Sequence, residues 1–192
     1  MTEWQAYTPT HMATDLSWGA PLTEDDLAAM PDDGHRYELL EGVLLVTPAP
    51  NITHQTCVVS LVVLLRSART ESHQVLVAPT DVRLTAVTVL QPDVLVARPA
   101  DLTPARLEAA PLLAVEVLSL STRLIDLGTK RLAYEAAGVP AYWLVDPDVP
   151  SLTVLHLEDG RYVEQAVVTG DERYTATVPF PVTVVPSELL DR

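Results

Sequence analysis

The sequence predicts an α/β fold in which helices flank a mixed central sheet. Short runs rich in valine and leucine, typical of strands buried on both faces, follow one another through the middle of the chain. A helical stretch from about Leu124 to Ala137 separates two of these runs, LLAVEVLSL and AYWLVD, so the three elements form a βαβ unit with a right-handed crossover. The length of 192 residues suits one domain of this class.

The first elements are predicted from composition and from capping signals. Residues 1–21 are polar with scattered proline and glycine, and we expect them to form a flexible lead-in to a single domain over residues 22–192. Thr23, followed three residues later by Asp26, predicts the start of a short helix that Pro31 ends.

A hairpin and a longer helix are predicted next. The pattern RYELLEGVLLVT indicates two strands around a turn at Glu41 and Gly42, where glycine can take a positive φ. Apolar residues then recur at helical spacing as far as Ala68, in a helix capped by Asn51 or Thr53. We expect this helix to cover one face of the sheet.

The remaining strands are predicted from further apolar runs. VLVAP, VRL and VLQPDVLVAR are expected to join the central sheet. Two alternating runs between Ser151 and Val168, separated by Asp159 and Gly160, predict a C-terminal β-hairpin that extends the sheet.

Composition excludes several classes of protein. The longest largely apolar stretch, Val58–Leu65, is far shorter than the roughly 20 residues of a membrane span. Residues 1–17 lack the basic and apolar regions of a secretory signal, which predicts a cytoplasmic protein without a membrane partner. Cys57 is the only cysteine, so neither an internal disulfide nor a cysteine-rich zinc cluster can form. The net charge of −14 argues against nonspecific affinity for nucleic acid, although a local basic patch could act alone.

Two acidic residues stand where a carboxylate is costly. Glu116 lies in the middle of LLAVEVLSL, and burial there requires a partner or a metal ion. Asp93 follows Pro92 at the start of another apolar run. Converging carboxylates suit Mg²⁺, which can activate water and stabilise charge on a phosphoryl oxygen. The alternatives are an ion pair of Glu116 with Arg123, and a turn-initiating role for Asp93.

Three further residues are candidates for the same site. Lys130, the only lysine, lies on the helix after the Glu116 strand and can orient water or neutralise charge, or it can simply pair with Asp126 four residues earlier. Glu38 is a third candidate acid, or a solvated strand residue. His54, at a helix start, could reach a phosphate, but a structural role is favoured.

Several blocks together resemble the Uma family of restriction endonucleases. They are RYELLEG, PAPNITHQ, QPDVLVARP, LEDGRY and, most specifically, EVLSLSTRLIDLGTKRLAYEAAGVPAYWLVDP, and they span roughly Leu22 to Val168. The resemblance implies a restriction endonuclease-like fold of the PD-(D/E)XK superfamily, a mixed sheet flanked by helices. It also implies that Asp93 is the first acid, Glu116 the second and Glu38 an upstream helper, all around a divalent metal.

The sequence departs from the family pattern at two positions. Leu118 stands where the superfamily has a lysine two residues after the second acid, so Lys130 would have to supply the ammonium group from the helix. Leu120 stands where the family usually has proline in a Ser-Pro-Ser-Thr turn.

These residues and the family resemblance together predict a metal-dependent endonuclease that hydrolyses DNA, with Mg²⁺ as cofactor and Mn²⁺ as a substitute. Hydrolysis of RNA or of another phosphodiester would use the same chemistry. The alternative is a catalytically inactive module that keeps the fold for binding or assembly, as the negative charge and Leu118 suggest. A homodimer is also expected, because nucleases of this fold often pair two sites to cut two strands.

Overall fold

The computed structural model describes residues 20–190. The predicted lead-in, residues 1–21, therefore lies almost entirely outside the described residues. The α-helices are α1 (Glu24–Ala28), α2 (Ile52–Ala68), α3 (Arg123–Ile125) and α4 (Arg131–Ala136). The strands are β1 (Arg36–Leu40), β2 (Val43–Thr47), β3 (Gln74–Val77), β4 (Val82–Thr85), β5 (Thr88–Leu90), β6 (Val94–Ala97), β7 (Leu113–Val117), β8 (Ala141–Asp146), β9 (Ser151–Glu158), β10 (Arg161–Thr169), β11 (Tyr174–Ala176) and β12 (Val182–Val184). Short 3₁₀ helices cover Pro99–Asp101 and Ser187–Leu190.

Six strands form a large mixed sheet, in the order β10-β9-β8-β7-β6-β3. The β7–β8 pair is parallel and the other pairs are antiparallel. The helical segment between β7 and β8 makes the predicted βαβ unit, and the hairpin of β9 and β10 extends the sheet as expected. The α/β class with a mixed sheet is confirmed.

Four strands form a second, small sheet in the order β2-β1-β5-β4. The predicted hairpin is confirmed, with Arg36 paired to Thr47. The expectation that VRL and all of VLQPDVLVAR join the central sheet is wrong, because β4 and β5 belong to the small sheet and only β6 belongs to the large one. Pro92 separates β5 from β6 and has no N–H to donate to a ladder, so the chain changes sheets there.

Helix α2 covers one face of the large sheet, as predicted. Its N-terminus is capped by Asn51, whose side chain accepts a hydrogen bond of 2.8 Å from the His54 N–H. Cys57, Leu61 and Leu65 are fully buried in a core cluster with residues of the large sheet. Within residues 20–190, no helix is both long and apolar enough to cross a membrane.

Two parts of the described chain differ from the sequence prediction. The hairpin of β11 and β12 was not predicted, because each strand has only three residues. The helix predicted for Leu124–Ala137 is present over α3 and α4, but Asp126–Lys130 between them is a π-helical turn. Such a widened turn is frequent at functional sites.

The hairpin of the small sheet depends on Gly42, which gives the first testable prediction. Gly42 has φ of +79°, and a Cβ at this position would overlap Pro21. Gly138, after α4, also has φ of +79°, but an added Cβ there meets nothing within 4 Å. We expect Gly42→Ala to lower the free energy of unfolding by more than about 1 kcal/mol, and by more than Gly138→Ala, when both are measured by urea denaturation. Equal losses would show that the contact with Pro21 contributes nothing.

Candidate active site

Strand alternation places Glu116 on the face of the large sheet opposite α2. Val115 and Val117 pack into the core beneath α2, whereas Ala114 and Leu118 pack into the cluster on the other face. Glu116 lies between Val115 and Val117 and therefore shares the face of Ala114. This face is covered by the segment from α3 to α4 and by the small sheet, and the Glu116 side chain is 2% exposed.

Lys130 connects the three elements that meet on this face. Its Nζ lies 3.0 Å from Glu38 Oε1 on β1 and 3.1 Å from Glu116 Oε1 on β7. The same Nζ lies 3.6 Å from Asp126 Oδ1 within the π-helical turn. The pairing with Asp126 is therefore present, but it is one of three. Glu38 is 1% exposed, so its interpretation as a solvated strand residue is wrong.

Asp93 immediately precedes β6 and lies beside the Glu116 strand. Its Oδ2 accepts a hydrogen bond of 2.8 Å from the Val117 N–H on the neighbouring strand. Its Oδ1 accepts from Arg36 Nη1 at 3.1 Å and lies 3.4 Å from His54 Nε2. Asp93 is thus more than a turn-initiating acid, and His54 faces the site as well as starting α2.

All four predicted site residues line one cavity of about 460 Å³. Asp93 and Glu116 lie on adjacent strands, Glu38 comes from the small sheet, and Lys130 reaches in from the helical segment. The alternative pairing of Glu116 with Arg123 is wrong, because Arg123 binds Asp146 at 2.5 Å.

Two residues of the site were not singled out from the sequence. Arg36 lies two positions before Glu38 on β1 and therefore on the same face, and it bridges Asp93 and Glu38. Tyr134 lies four positions after Lys130 on the helical segment, and its hydroxyl donates a hydrogen bond of 3.1 Å to Glu116 Oε1. Their spacing from Glu38 and Lys130 places them on the same faces as those residues, but no local pattern specifies their contacts with Asp93 and Glu116.

The ionisation of the site follows from burial and from the neighbouring charges. Burial raises the pKa of Glu116 well above its ordinary value; Lys130 opposes this shift, while Asp126, Asp93 and Glu38 add to it. Burial alone would lower the pKa of Lys130, but the carboxylates around it reverse the effect and raise that pKa, so the ammonium group stays charged.

Asp93 behaves differently from Glu116. Burial alone would raise its pKa, but the hydrogen bond and charge of His54, the charge of Arg36 and the Val117 N–H outweigh burial and hold the pKa below its ordinary value. Asp93 is therefore the more firmly ionised of the two acids, and Glu116 holds a proton more readily.

The side chains around the cavity fit a hard divalent cation in composition and charge. Four carboxyl groups, those of Glu38, Asp93, Glu116 and Asp126, outnumber the two permanent cations of the cavity, Lys130 and Arg36. Asp126 Oδ1 is buried without a hydrogen-bond partner in the described part of the chain. Mg²⁺ prefers such oxygen ligands and keeps several waters, so few protein ligands suffice. No group of three acidic, histidine or cysteine side chains within residues 20–190 is close enough to hold an ion without rearrangement.

Leu118 stands where the family resemblance implies a lysine. It is 5% exposed and packs in the apolar cluster with Tyr134 and Ala114 while it also lines the cavity. The ammonium group beside Glu116 is that of Lys130 on the helical segment, with its Nζ 3.1 Å from Glu116 Oε1.

The large sheet, its covering helices and this acidic cavity with a buried lysine define a nuclease fold of the restriction endonuclease-like class. The chain belongs to the Uma2 family, described as "Putative restriction endonuclease", whose sequence profile matches residues 24–187. The family predicted from the sequence blocks is therefore confirmed.

A solved structure agrees with this fold. The crystal structure of a "putative nuclease" of the DUF820 family from Anabaena variabilis aligns with a TM-score of 0.68 and 20% sequence identity, over 88% of this chain and 98% of that one. At this identity the similarity establishes the fold. No curated protein matches the chain.

Proposed function

We propose that this nuclease-family chain is a metal-dependent endonuclease that hydrolyses phosphodiester bonds in DNA. The observation that carries the proposal is the single cavity lined by Asp93, Glu116 and Glu38, in which the buried Nζ of Lys130 contacts Glu116 and Glu38. Asp93 and Glu116 would hold Mg²⁺, with Mn²⁺ as a substitute, and Glu38 would assist through water.

The roles of the protein groups follow from their charges. A bound Mg²⁺ supplies Lewis-acid polarisation of a phosphoryl oxygen and an activated water. Lys130, whose pKa is raised, acts as a fixed positive charge rather than as a proton acceptor. Tyr134 donates to Glu116 Oε1 and so limits the rotation of this carboxylate. Asp93, ionised and held by three donors, is the better preorganised ligand.

A noncatalytic binding or assembly module is the second candidate. The observation that favours it is the set of internal ion pairs, because Lys130 and Arg36 already compensate part of the acidic charge without any bound ion. This candidate predicts that the isolated protein binds neither Mg²⁺ nor Mn²⁺ at millimolar concentration.

The proposal is tested by comparing Asp93→Asn with the unsubstituted protein. Mn²⁺ binding is measured by calorimetric titration, and activity is measured as cleavage of supercoiled DNA. This substitution preserves the shape of the side chain but removes an ionised ligand, and we expect it to abolish Mn²⁺ binding. Cleavage should fall about a hundredfold or more, because metal stabilisation of the transition state is worth several kcal/mol.

The matched control is Glu164→Gln, which neutralises an exposed carboxylate on β10 outside the cavity. The control should bind metal and cleave as the unsubstituted protein does. If neither the unsubstituted protein nor the control binds Mn²⁺, the chain is the noncatalytic module. If Asp93→Asn cleaves as well as the control, Asp93 is not a ligand. The homodimer and the cytoplasmic location expected from the sequence remain predictions.

A further inference from the structure

A second, larger cavity adjoins the acidic one. Its volume is about 830 Å³, within the range of about 300–1,000 Å³ common for small-molecule sites. Arg36, His54 and Asp93 line both cavities. A molecule whose phosphodiester lies at the acidic cavity could therefore extend directly into the second one.

The walls of the second cavity are mainly apolar, although they are open to solvent. Val59 and Val63 on the outer face of α2 are 59% and 61% exposed, and Val77 at the end of β3 is 38% exposed. Tyr37 supplies an aromatic ring, with the His35 ring centred 6.2 Å away. Such walls suit a flat ring system, because every nucleobase has a flat face that can stack on aromatic and apolar side chains.

One residue of the cavity wall carries a buried polar atom without a partner in the described part of the chain. Gln91, which lines the cavity, is 9% exposed, and its Nε2 donates a hydrogen bond of 2.7 Å to Asp81 Oδ1. This bond fixes the orientation of the amide. Gln91 Oε1 is left buried with no hydrogen-bond partner within residues 20–190. A buried acceptor of this kind is costly unless a ligand donates to it.

The cavity offers little to a nucleic-acid backbone. Among the described residues that line either cavity, Arg36 and Lys130 are the only arginine and lysine, and both are held in ion pairs. Backbone binding depends on such cations and weakens steeply with salt. Affinity in this region must therefore come from the base rather than from the phosphates.

We propose that the second cavity binds an unpaired nucleobase next to the phosphodiester in the acidic cavity, and that Gln91 Oε1 selects a base with an exocyclic amino group. The inference depends on the proposed function, because it names the substrate of the same site. Adenine, cytosine and guanine carry such an amino donor, whereas unpaired thymine offers only its ring N3–H. A base in a duplex is stacked and paired, so single-stranded or locally opened DNA is the substrate.

Fluorescence anisotropy with labelled pentanucleotides tests this proposal in EDTA, with the integrity of each oligonucleotide checked on a gel. The probes are (dC)₅ and (dT)₅, which are matched in ring size, an abasic pentamer and a duplex of the same length. We expect (dC)₅ to bind about 2- to 10-fold tighter than (dT)₅, which is the gain of one hydrogen bond. The abasic pentamer and the duplex should bind about tenfold or more weakly.

Two variants locate the binding. Val59→Asp introduces a charge at an exposed position of the cavity wall and should weaken (dC)₅ binding about tenfold. Its control is Leu132→Asp, which adds the same charge at a 56% exposed leucine on α4 away from both cavities and should change nothing. Gln91→Met keeps the length of the side chain without the acceptor and should make (dC)₅ and (dT)₅ equal.

Several outcomes would overturn the proposal. They are equal binding of the abasic pentamer, duplex binding as tight as single-strand binding, and a Val59→Asp variant that binds as the control does. A change in sedimentation caused by Val59→Asp alone would assign this surface to a second copy of the chain. Metal-dependent cleavage with any of these results removes the inference but leaves the proposed function. Base-selective binding without metal-dependent cleavage removes the proposed function and leaves only a base-binding cavity.

Discussion

Lys130→Met is expected to lower the free energy of unfolding by about 3–5 kcal/mol, the usual cost of removing one partner from a buried ion pair. Lys130 is 3% exposed, and its Nζ is the cation nearest to Glu38, Glu116 and Asp126. Methionine fills a similar volume but leaves these carboxylates buried without that charge. Urea denaturation in EDTA measures the loss.

A matched control separates this effect from a general cost of losing a cation. Arg66→Met removes a positive charge from an exposed position on α2 and should change stability by no more than about 0.5 kcal/mol. Adding Glu116→Gln to Lys130→Met should recover part of the loss, because residues in one network are not additive. A loss below that of the control would mean that Lys130 is not the counterion of these acids.

Glu116→Gln is expected to stabilise the metal-free protein while it removes activity. Burial and the surrounding carboxylates raise the pKa of Glu116, so its ionised form is disfavoured in the folded state. Glutamine removes that charge and can still accept the Tyr134 hydroxyl through its amide oxygen. We expect a gain of about 0.5–2 kcal/mol near neutral pH, typical of substitutions that relieve an active-site cost.

The stability gain of Glu116→Gln is expected to depend on pH. A carboxyl whose folded pKa lies above its ordinary value of 4.5 binds its proton more tightly in the folded protein. The folded state therefore loses stability as the pH rises from this value through the folded pKa. The advantage of Glu116→Gln should grow with pH across that window and be absent below it. Denaturation at several values between about pH 5 and pH 8 measures the trend.

Adding Mg²⁺ tests whether Glu116 is a metal ligand, separately from its effect on the metal-free protein. Mg²⁺ should stabilise the unsubstituted protein by mass action, by about 2.7 kcal/mol at a hundred times its dissociation constant. Glu116→Gln should show little of this gain, and its cleavage should fall about a hundredfold or more. Glu164→Gln, at an exposed position, should retain both properties. A Glu116→Gln variant that keeps the full Mg²⁺ response would remove Glu116 from the ligand set.

Much of the fold follows from local signals in the sequence. The turn at Glu41 and Gly42, the cap at Asn51 and the βαβ unit with AYWLVD are all present, because each depends on a few adjacent residues or on one periodicity. The division of β1 to β10 into a large and a small sheet was not predicted. The pairing of β5 with β1 joins residues about fifty positions apart, and no local pattern specifies such a partner.

The sequence predicts the acidic residues of the candidate site better than it predicts the residues that contact them. Glu116 and Asp93 could be singled out because each is a carboxylate within an apolar run, where burial is costly. Arg36 looked like an ordinary arginine at a strand start, since its function depends on contact with Asp93, 57 positions away. The ammonium group of Lys130 was expected near the acids, but the widened turn that carries it was not.

The π-helical turn at Asp126–Lys130 determines the direction in which the Lys130 side chain leaves the helix. In a regular α-helix each residue advances the side-chain direction by about 100°. The extra residue in this turn therefore changes the angle about the helix axis between the side chains of Asp126 and Tyr134. Loss of a single residue from it would leave both flanking helices able to form, but Asp126 could no longer lie beside the Lys130 Nζ while the Tyr134 hydroxyl contacts Glu116. We therefore expect an insertion or a deletion within Asp126–Lys130 to disrupt the site more than most single substitutions do.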